Sequence, residues 1–163
     1  MKKIILLAFL TFVFFILDNT FMPFIAINGY YPSLLFVFCI CYSIVNGSFE
    51  GMWLGALSGV LQDIFFTNAF GINALTTMLM CVLAGIIGKN LFKEKIIIPI
   101  VATFFITILK GIFIFTILRI IGRYTRLQGV FYIALYTIIV SIVMYKWVYN
   151  LCQKEYMERK WRF

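Results

Sequence analysis

The sequence predicts an all-α integral membrane protein, with six transmembrane helices that form a single polytopic membrane domain over residues 1–163. Of its 163 residues, 64% are hydrophobic and 12% are charged, whereas soluble domains are about 45–50% apolar and about 25% charged. The mean hydropathy is +1.04. Several apolar runs approach the ~20 residues that cross a bilayer as one helix, so we interpret the chain as a bundle of spanning helices.

The composition also limits the kinds of binding and catalysis that the chain can carry out. The net charge is +8, but the basic residues collect at segment ends, where they orient helices and contact membrane lipids rather than nucleic acid. Histidine, the commonest zinc and acid–base side chain, is absent from the sequence. We therefore predict no metal, no cofactor and no catalytic residue. The cysteines lie in or beside apolar segments without a CxxC motif and are interpreted as small buried hydrophobes: Cys39, Cys41, Cys81 and Cys152.

The first three helices are predicted at about residues 4–24, 32–45 and 47–66. The N-terminus has the basic start and apolar run of a signal peptide, but it lacks a small-x-small cleavage site and further spans follow. We therefore expect it to be retained as the first helix. Pro23 disturbs the last turn of this helix, and Pro32 begins the second helix, because proline suits a first turn.

The last three helices are predicted at about residues 72–88, 96–121 and 130–152. Gly85 and Gly88, followed by a basic segment, are expected to end the fourth helix. Lys110 falls inside the fifth helix. A basic turn leads into the sixth helix, and the polar and aromatic tail after it suits a membrane surface.

The distribution of basic residues predicts the orientation, with both termini in the cytoplasm. Cytoplasmic loops carry an excess of lysine and arginine. Six spans place nine basic residues inside and three outside. A re-entrant segment at 47–66 gives five spans and places five inside and seven outside, so six spans fit better. The nine inside are Lys2, Lys3, Lys89, Lys93, Lys95, Lys154, Arg159, Lys160 and Arg162.

Glycine recurs every fourth residue in the third helix, and we call Gly47, Gly51, Gly55 and Gly59 the glycine ladder. Residues four apart stack on one helix face, with a drift of about 40° per step. Small residues on such a face let helices approach closely in lipid. The neighbours lie either within the chain or on a partner protein. We predict helix-packing or partner-binding roles for Gly51, Gly55, Gly59, Asp63 and Gly71.

Three ionisable residues lie at a similar depth in three helices. At a rise of about 1.5 Å per residue, Asp18, Asp63 and Lys110 each lie roughly 20–22 Å from a charged residue at the inner end of their helix. Lone charges in a membrane are expensive and are usually paired. We therefore predict that Lys110 pairs with Asp18 or Asp63; the alternative is that each side chain snorkels to the outer headgroups. A second role is open for Asp63, which could accept hydrogen bonds from the turn that precedes the fourth helix.

Three arginines run against the predicted charge bias, because they fall on the external side. Arg119, Arg123 and Arg126 are spaced four and three residues apart, so one helical face could carry all of them. We expect them to contact either phospholipid headgroups or an anionic partner, such as an acidic protein segment or an anionic lipid.

Several of these residues together resemble the MreD family of rod shape-determining proteins. Gly55-x3-Gly59-x3-Asp63, followed by Asn68, Gly71 and Ala74-Leu75, is similar to the signature of that family. Asp18-Asn19 at the end of the first helix, Pro32-Ser33-Leu34-Leu35 at the start of the second, and the basic C-terminus are similar to it too. The resemblance covers nearly the whole chain, and its sharpest motifs lie at about residues 47–76.

The resemblance implies a non-catalytic scaffold of bacterial cell-wall elongation, located in the bacterial plasma membrane, that binds the bitopic protein MreC. Through MreC it implies association with MreB filaments, the RodA glycosyltransferase and a penicillin-binding transpeptidase. The family is also similar in fold to the substrate-binding subunits of energy-coupling-factor vitamin transporters, so a transporter subunit is the alternative function. A small intramembrane enzyme that acts on lipid is a third hypothesis, but it would need several polar groups converging at one depth.

Overall fold

The computed structural model describes residues 2–26, 29–65, 71–90, 97–122 and 128–153. Within these ranges the chain forms six α-helices and no β-strand, which confirms the predicted all-α fold. The helices are α1 (Lys2–Thr20), α2 (Leu34–Asn46), α3 (Ser48–Phe65), α4 (Ile72–Asn90), α5 (Ile97–Ile120) and α6 (Gln128–Cys152).

The first helix is shorter than the sequence predicted. It ends at Thr20 rather than near residue 24, and a short 3₁₀-helix follows over Met22–Ile25. Pro23 explains the difference, because it has no backbone N–H to continue the α-helical ladder and its ring clashes with the preceding turn. The fourth helix is longer than the sequence predicted, because it continues through Gly85 and Gly88 to Asn90.

The helix α2 lies at the centre of the bundle. It contacts each of the other five helices, and every residue from Leu35 to Ile44 is buried. A helix that is apolar on all sides is stable only when it is enclosed. Aromatic side chains join it to its neighbours, with the Phe38 ring centroid 4.9 Å from that of Phe14 on α1 and 6.4 Å from that of Trp147 on α6.

Four of the helices, α1, α4, α5 and α6, are long and apolar enough to cross a membrane. The helix α2 has only 13 residues, and α3 carries Glu50 and Asp63 within its 18 residues. Large apolar side chains are exposed on the outside of the bundle, such as Phe12, Phe105 and Val143. Apolar exposure on this scale is typical of a surface that faces lipid.

Candidate functional site

The glycine ladder lies against α2 and α4, so its close neighbours are inside the chain. A Cβ atom added to Gly51 would collide with Ser43 of α2. At Gly55 it would lie 2.8 Å from Cys81 Sγ of α4, and at Gly59 it would lie 2.6 Å from the carbonyl oxygen of Asn73. The ladder therefore lets the backbone of α3 approach that of α4 closely, and α4 is the helix against which α3 packs most extensively.

Two glycines of α4 complete this close approach. A Cβ atom on Gly85 would collide with the backbone of Ser48, and one on Gly88 would collide with the backbone of Ile44. The expectation that these glycines end the fourth helix was therefore wrong. Their signal in the sequence is the run of small residues Ala84-Gly85 followed by Gly88, which is the pattern of a helix interface in lipid.

Asp63, near the end of α3, binds the beginning of α4. Its carboxylate accepts hydrogen bonds from the backbone N–H groups of Gly71 (3.0 Å), Asn73 (3.1 Å) and Ala74 (2.8 Å). Gly71 has φ +94°, which glycine adopts without strain. The buried charge of Asp63 is thus placed at the positive end of the α4 dipole, where donors would otherwise be unsatisfied. The sequence left open that Asp63 accepts hydrogen bonds from the segment before the fourth helix; among the described residues the donors are Gly71, just before α4, and Asn73 and Ala74 in its first turn.

Asp18, near the end of α1, has the same role toward α2. Its carboxylate accepts hydrogen bonds from the Ser33 hydroxyl (2.6 Å) and from the backbone N–H groups of Leu34 (2.6 Å) and Leu35 (3.1 Å). Ser33 also accepts from the backbone N–H of Phe36 and from the side-chain amide of Gln62 on α3, both at 3.1 Å. This contact was not predicted from the sequence, although Pro32-Ser33 before an apolar run is a recognised helix start.

Lys110 does not form the predicted ion pair with Asp18 or Asp63. Within the described part of the chain, no carboxylate oxygen lies within 4.0 Å of its ammonium nitrogen, and the ion pair found there joins Lys3 to Glu50. Both aspartates are already held by N–H and O–H donors of their own. The ammonium of Lys110 lies instead over the ring of Phe36, 4.0 Å from its centroid. Such a contact stabilises a desolvated cation by about 2 kcal/mol, against about 2.5–3.5 kcal/mol for placing lysine at mid-membrane.

Lys110 and Asp18 nevertheless line one cavity of about 340 Å³. It lies at the ends of α1 and α3 and the beginnings of α2 and α4, with α5 along one side. Polar groups from four helices and the segment before α2 converge there. The residues that line it are Phe15, Asp18, Asn19, Tyr31, Ser33, Gln62, Ile72, Asn73, Lys110, Ile114 and Leu118.

A second polar cluster lies at the opposite end of α3. Lys3 Nζ contacts Glu50 Oε2 at 2.7 Å, and the hydroxyl of Tyr42 donates to the same oxygen at 2.6 Å. The cluster joins α1, α2 and α3 at the end that the charge distribution assigns to the cytoplasm. The charge distribution placed Lys3 on the cytoplasmic side, but its pairing with Glu50 was not predicted, because the two residues are 47 positions apart along the chain.

The external arginines are only partly described. Arg119 lies in the last turn of α5, with its guanidinium carbon 6.0 Å from the ring centroid of Phe115. Arg123 and Arg126 lie outside the described residues. Their contact with headgroups or with an anionic partner stays a prediction.

Comparison with known proteins agrees with the resemblance. The model of the family described as "MreD: rod shape-determining protein MreD" matches residues 1–155 of the 163 residues. Neither the curated proteins nor the solved structures compared with the chain gave a match. The expected similarity in fold to the substrate-binding subunits of energy-coupling-factor transporters is therefore not supported.

Proposed function

Because the chain belongs to the MreD family of rod shape-determining proteins, we propose that it is a non-catalytic membrane scaffold of the bacterial cell-wall elongation machinery. The family match over residues 1–155 is the observation that carries this proposal. In this role the protein binds MreC directly and belongs to the same assembly as MreB, RodA and a penicillin-binding transpeptidase. It lies in the plasma membrane with both termini in the cytoplasm.

The use of the buried polar residues supports a scaffold rather than an enzyme. The carboxylates of Asp18 and Asp63 each accept hydrogen bonds from the first turn of the next helix, and Glu50 is bound by Lys3 and Tyr42. A general base must be within reach of the proton it removes from a substrate, whereas these carboxylates already serve the contacts between helices. Their role is to fix the positions of α1 to α4.

The close packing of α3 bears on where a partner binds. Since the glycine ladder is covered by α2 and α4, it is not open to a helix of another protein. MreC must therefore contact the outer, lipid-facing sides of the helices or residues at the level of the headgroups. Exposed side chains such as Phe105 of α5 and Val143 of α6 lie on such sides.

Co-purification tests the proposal. The chain, extracted from membranes in a mild uncharged detergent, is expected to be retained by affinity-tagged MreC from the same bacterium. An unrelated tagged protein with one membrane helix is the matched control. Equal recovery with MreC and with the control would contradict direct binding to MreC.

A further inference from the structure

The ammonium group of Lys110 has three N–H donors and no acceptor of its own. Among the described residues it has no ion pair and no hydrogen bond, and the ring of Phe36 covers one side of it. A ring face attracts the charge of a cation but accepts no conventional hydrogen bond. A lysine inside a membrane is expensive when it is unpaired and usually marks a functional site.

Among the described residues, none of the neighbouring polar groups lies within hydrogen-bond distance of the ammonium nitrogen, and their contacts are with other groups. Asp18 accepts from Ser33, Leu34 and Leu35. Asp63 is held by the first turn of α4 and does not line the cavity. The amide nitrogen of Gln62 is turned toward Ser33, which itself donates to Asp18.

The cavity beside Lys110 has the dimensions and lining of a ligand site. Its volume of about 340 Å³ lies within the roughly 300–1,000 Å³ that is typical of small-molecule sites. Apolar walls from Phe15, Ile114 and Leu118 surround a few converging polar groups. Asn19 is exposed and also lines the cavity, so the cavity reaches the surface at the end of α1.

We propose that this cavity binds an anionic group, a phosphate or a carboxylate, through Lys110. A lysine ammonium is a common ligand for phosphate, and its attraction for an anion is stronger in a site of low dielectric constant than in water. The group is carried either by the headgroup of an anionic membrane lipid or by a small solute. The neutral donors and acceptors of Asn19, Asn73 and Tyr31 would contact the rest of the bound molecule. This inference is independent of MreC binding.

Thermal unfolding of the purified full chain in an uncharged detergent tests the site. The probes are short-chain phosphatidylglycerol, phosphatidylcholine with the same chains, and inorganic phosphate. We expect a saturable rise in the unfolding temperature with phosphatidylglycerol and none with phosphatidylcholine. In Lys110→Met the concentration at half-saturation should increase about tenfold or more, because a charge-assisted hydrogen bond is lost. Lys110→Arg should retain the response.

The control is Lys89→Met, which removes an exposed lysine from the last turn of α4. Non-specific attraction of anionic lipid to a basic protein would be reduced alike in Lys89→Met and Lys110→Met. If only phosphatidylglycerol raises the unfolding temperature, the cavity binds a lipid headgroup. If inorganic phosphate raises it as well, the phosphate group alone is sufficient for binding. Absence of a saturable response to both anions overturns the proposal, as does an unchanged response in Lys110→Met.

A second variant covers the case in which Lys110→Met does not fold. Ile114→Trp fills the cavity from α5, one turn after Lys110, and leaves the charge in place. It should abolish the response to the anionic probe. An unchanged response in this variant would place the bound anion elsewhere.

Discussion

The carboxylate of Asp63 in α3 accepts a hydrogen bond of 2.8 Å from the backbone N–H of Ala74 in the first turn of α4. Asp18 makes the equivalent contact with Leu34 at the start of α2, at 2.6 Å. In both cases a buried carboxylate at the end of one helix binds the N-terminus of the next helix. These two buried carboxylates are thus satisfied by helix ends rather than by opposite charges.

Replacement of Asp63 should therefore destabilise the fold. Asp63→Ala leaves three backbone N–H groups without their acceptor, and we expect a loss of about 2 kcal/mol or more. Asp63→Asn keeps one carbonyl acceptor and should lose less. The free energy of unfolding in detergent, measured for both variants, checks these two expectations. Equal stability of Asp63→Ala and the unaltered protein would show that these three hydrogen bonds contribute nothing to the free energy of unfolding.

Asp63 and Lys110 should act independently, because they form no direct pair within the described structure. The loss of unfolding free energy in the double variant Asp63→Asn/Lys110→Met should equal the sum of the losses in the two single variants to within about 0.5 kcal/mol. The same unfolding measurement checks this. Rescue of Asp63→Asn by Lys110→Met would mean that the two charges are coupled after all, as the sequence predicted.

The glycine ladder should not tolerate side chains. Gly59→Leu places a side chain against the backbone of Asn73 and Ala74, and overpacking of this kind commonly destabilises by about 1–3 kcal/mol or more. Leu57→Ile is the matched control, since Leu57 is 59% exposed on the other side of α3. Folded yield and thermal unfolding of the two variants should differ clearly. A Gly59→Leu protein as stable as Leu57→Ile would mean that α3 and α4 are farther apart than the structure places them.

The six helices were predictable from the sequence because hydropathy marks the apolar segments, and prolines and polar residues mark their ends. The contacts were harder to predict. Burial leaves no periodic signal in a helix such as α2, which is apolar all round. The cap between Asp18 and Ser33 joins residues 15 positions apart, and depth alone suggested that Asp18 pairs with Lys110. Gly85 and Gly88 were misassigned because glycine both ends helices and lines close interfaces.

The predicted topology has the two termini on the cytoplasmic side. Reporter fusions after Glu94 and at the C-terminus should score as cytoplasmic, and a fusion near Gln128 should score as external, because basic residues concentrate on the inner side. The shortness of α2, with 13 residues, makes this test informative. A cytoplasmic score near Gln128 would contradict six spans.

Cell shape directly reports whether the chain acts as a scaffold in cell-wall elongation. Cells of the source bacterium that lack the chain should lose their rod shape, and expression of the unaltered chain should restore it. Leu57→Ile should restore the shape as well, whereas Gly59→Leu should not, because α3 and α4 can no longer meet. Cells that remain rods of normal width and length without the chain would contradict this scaffold function.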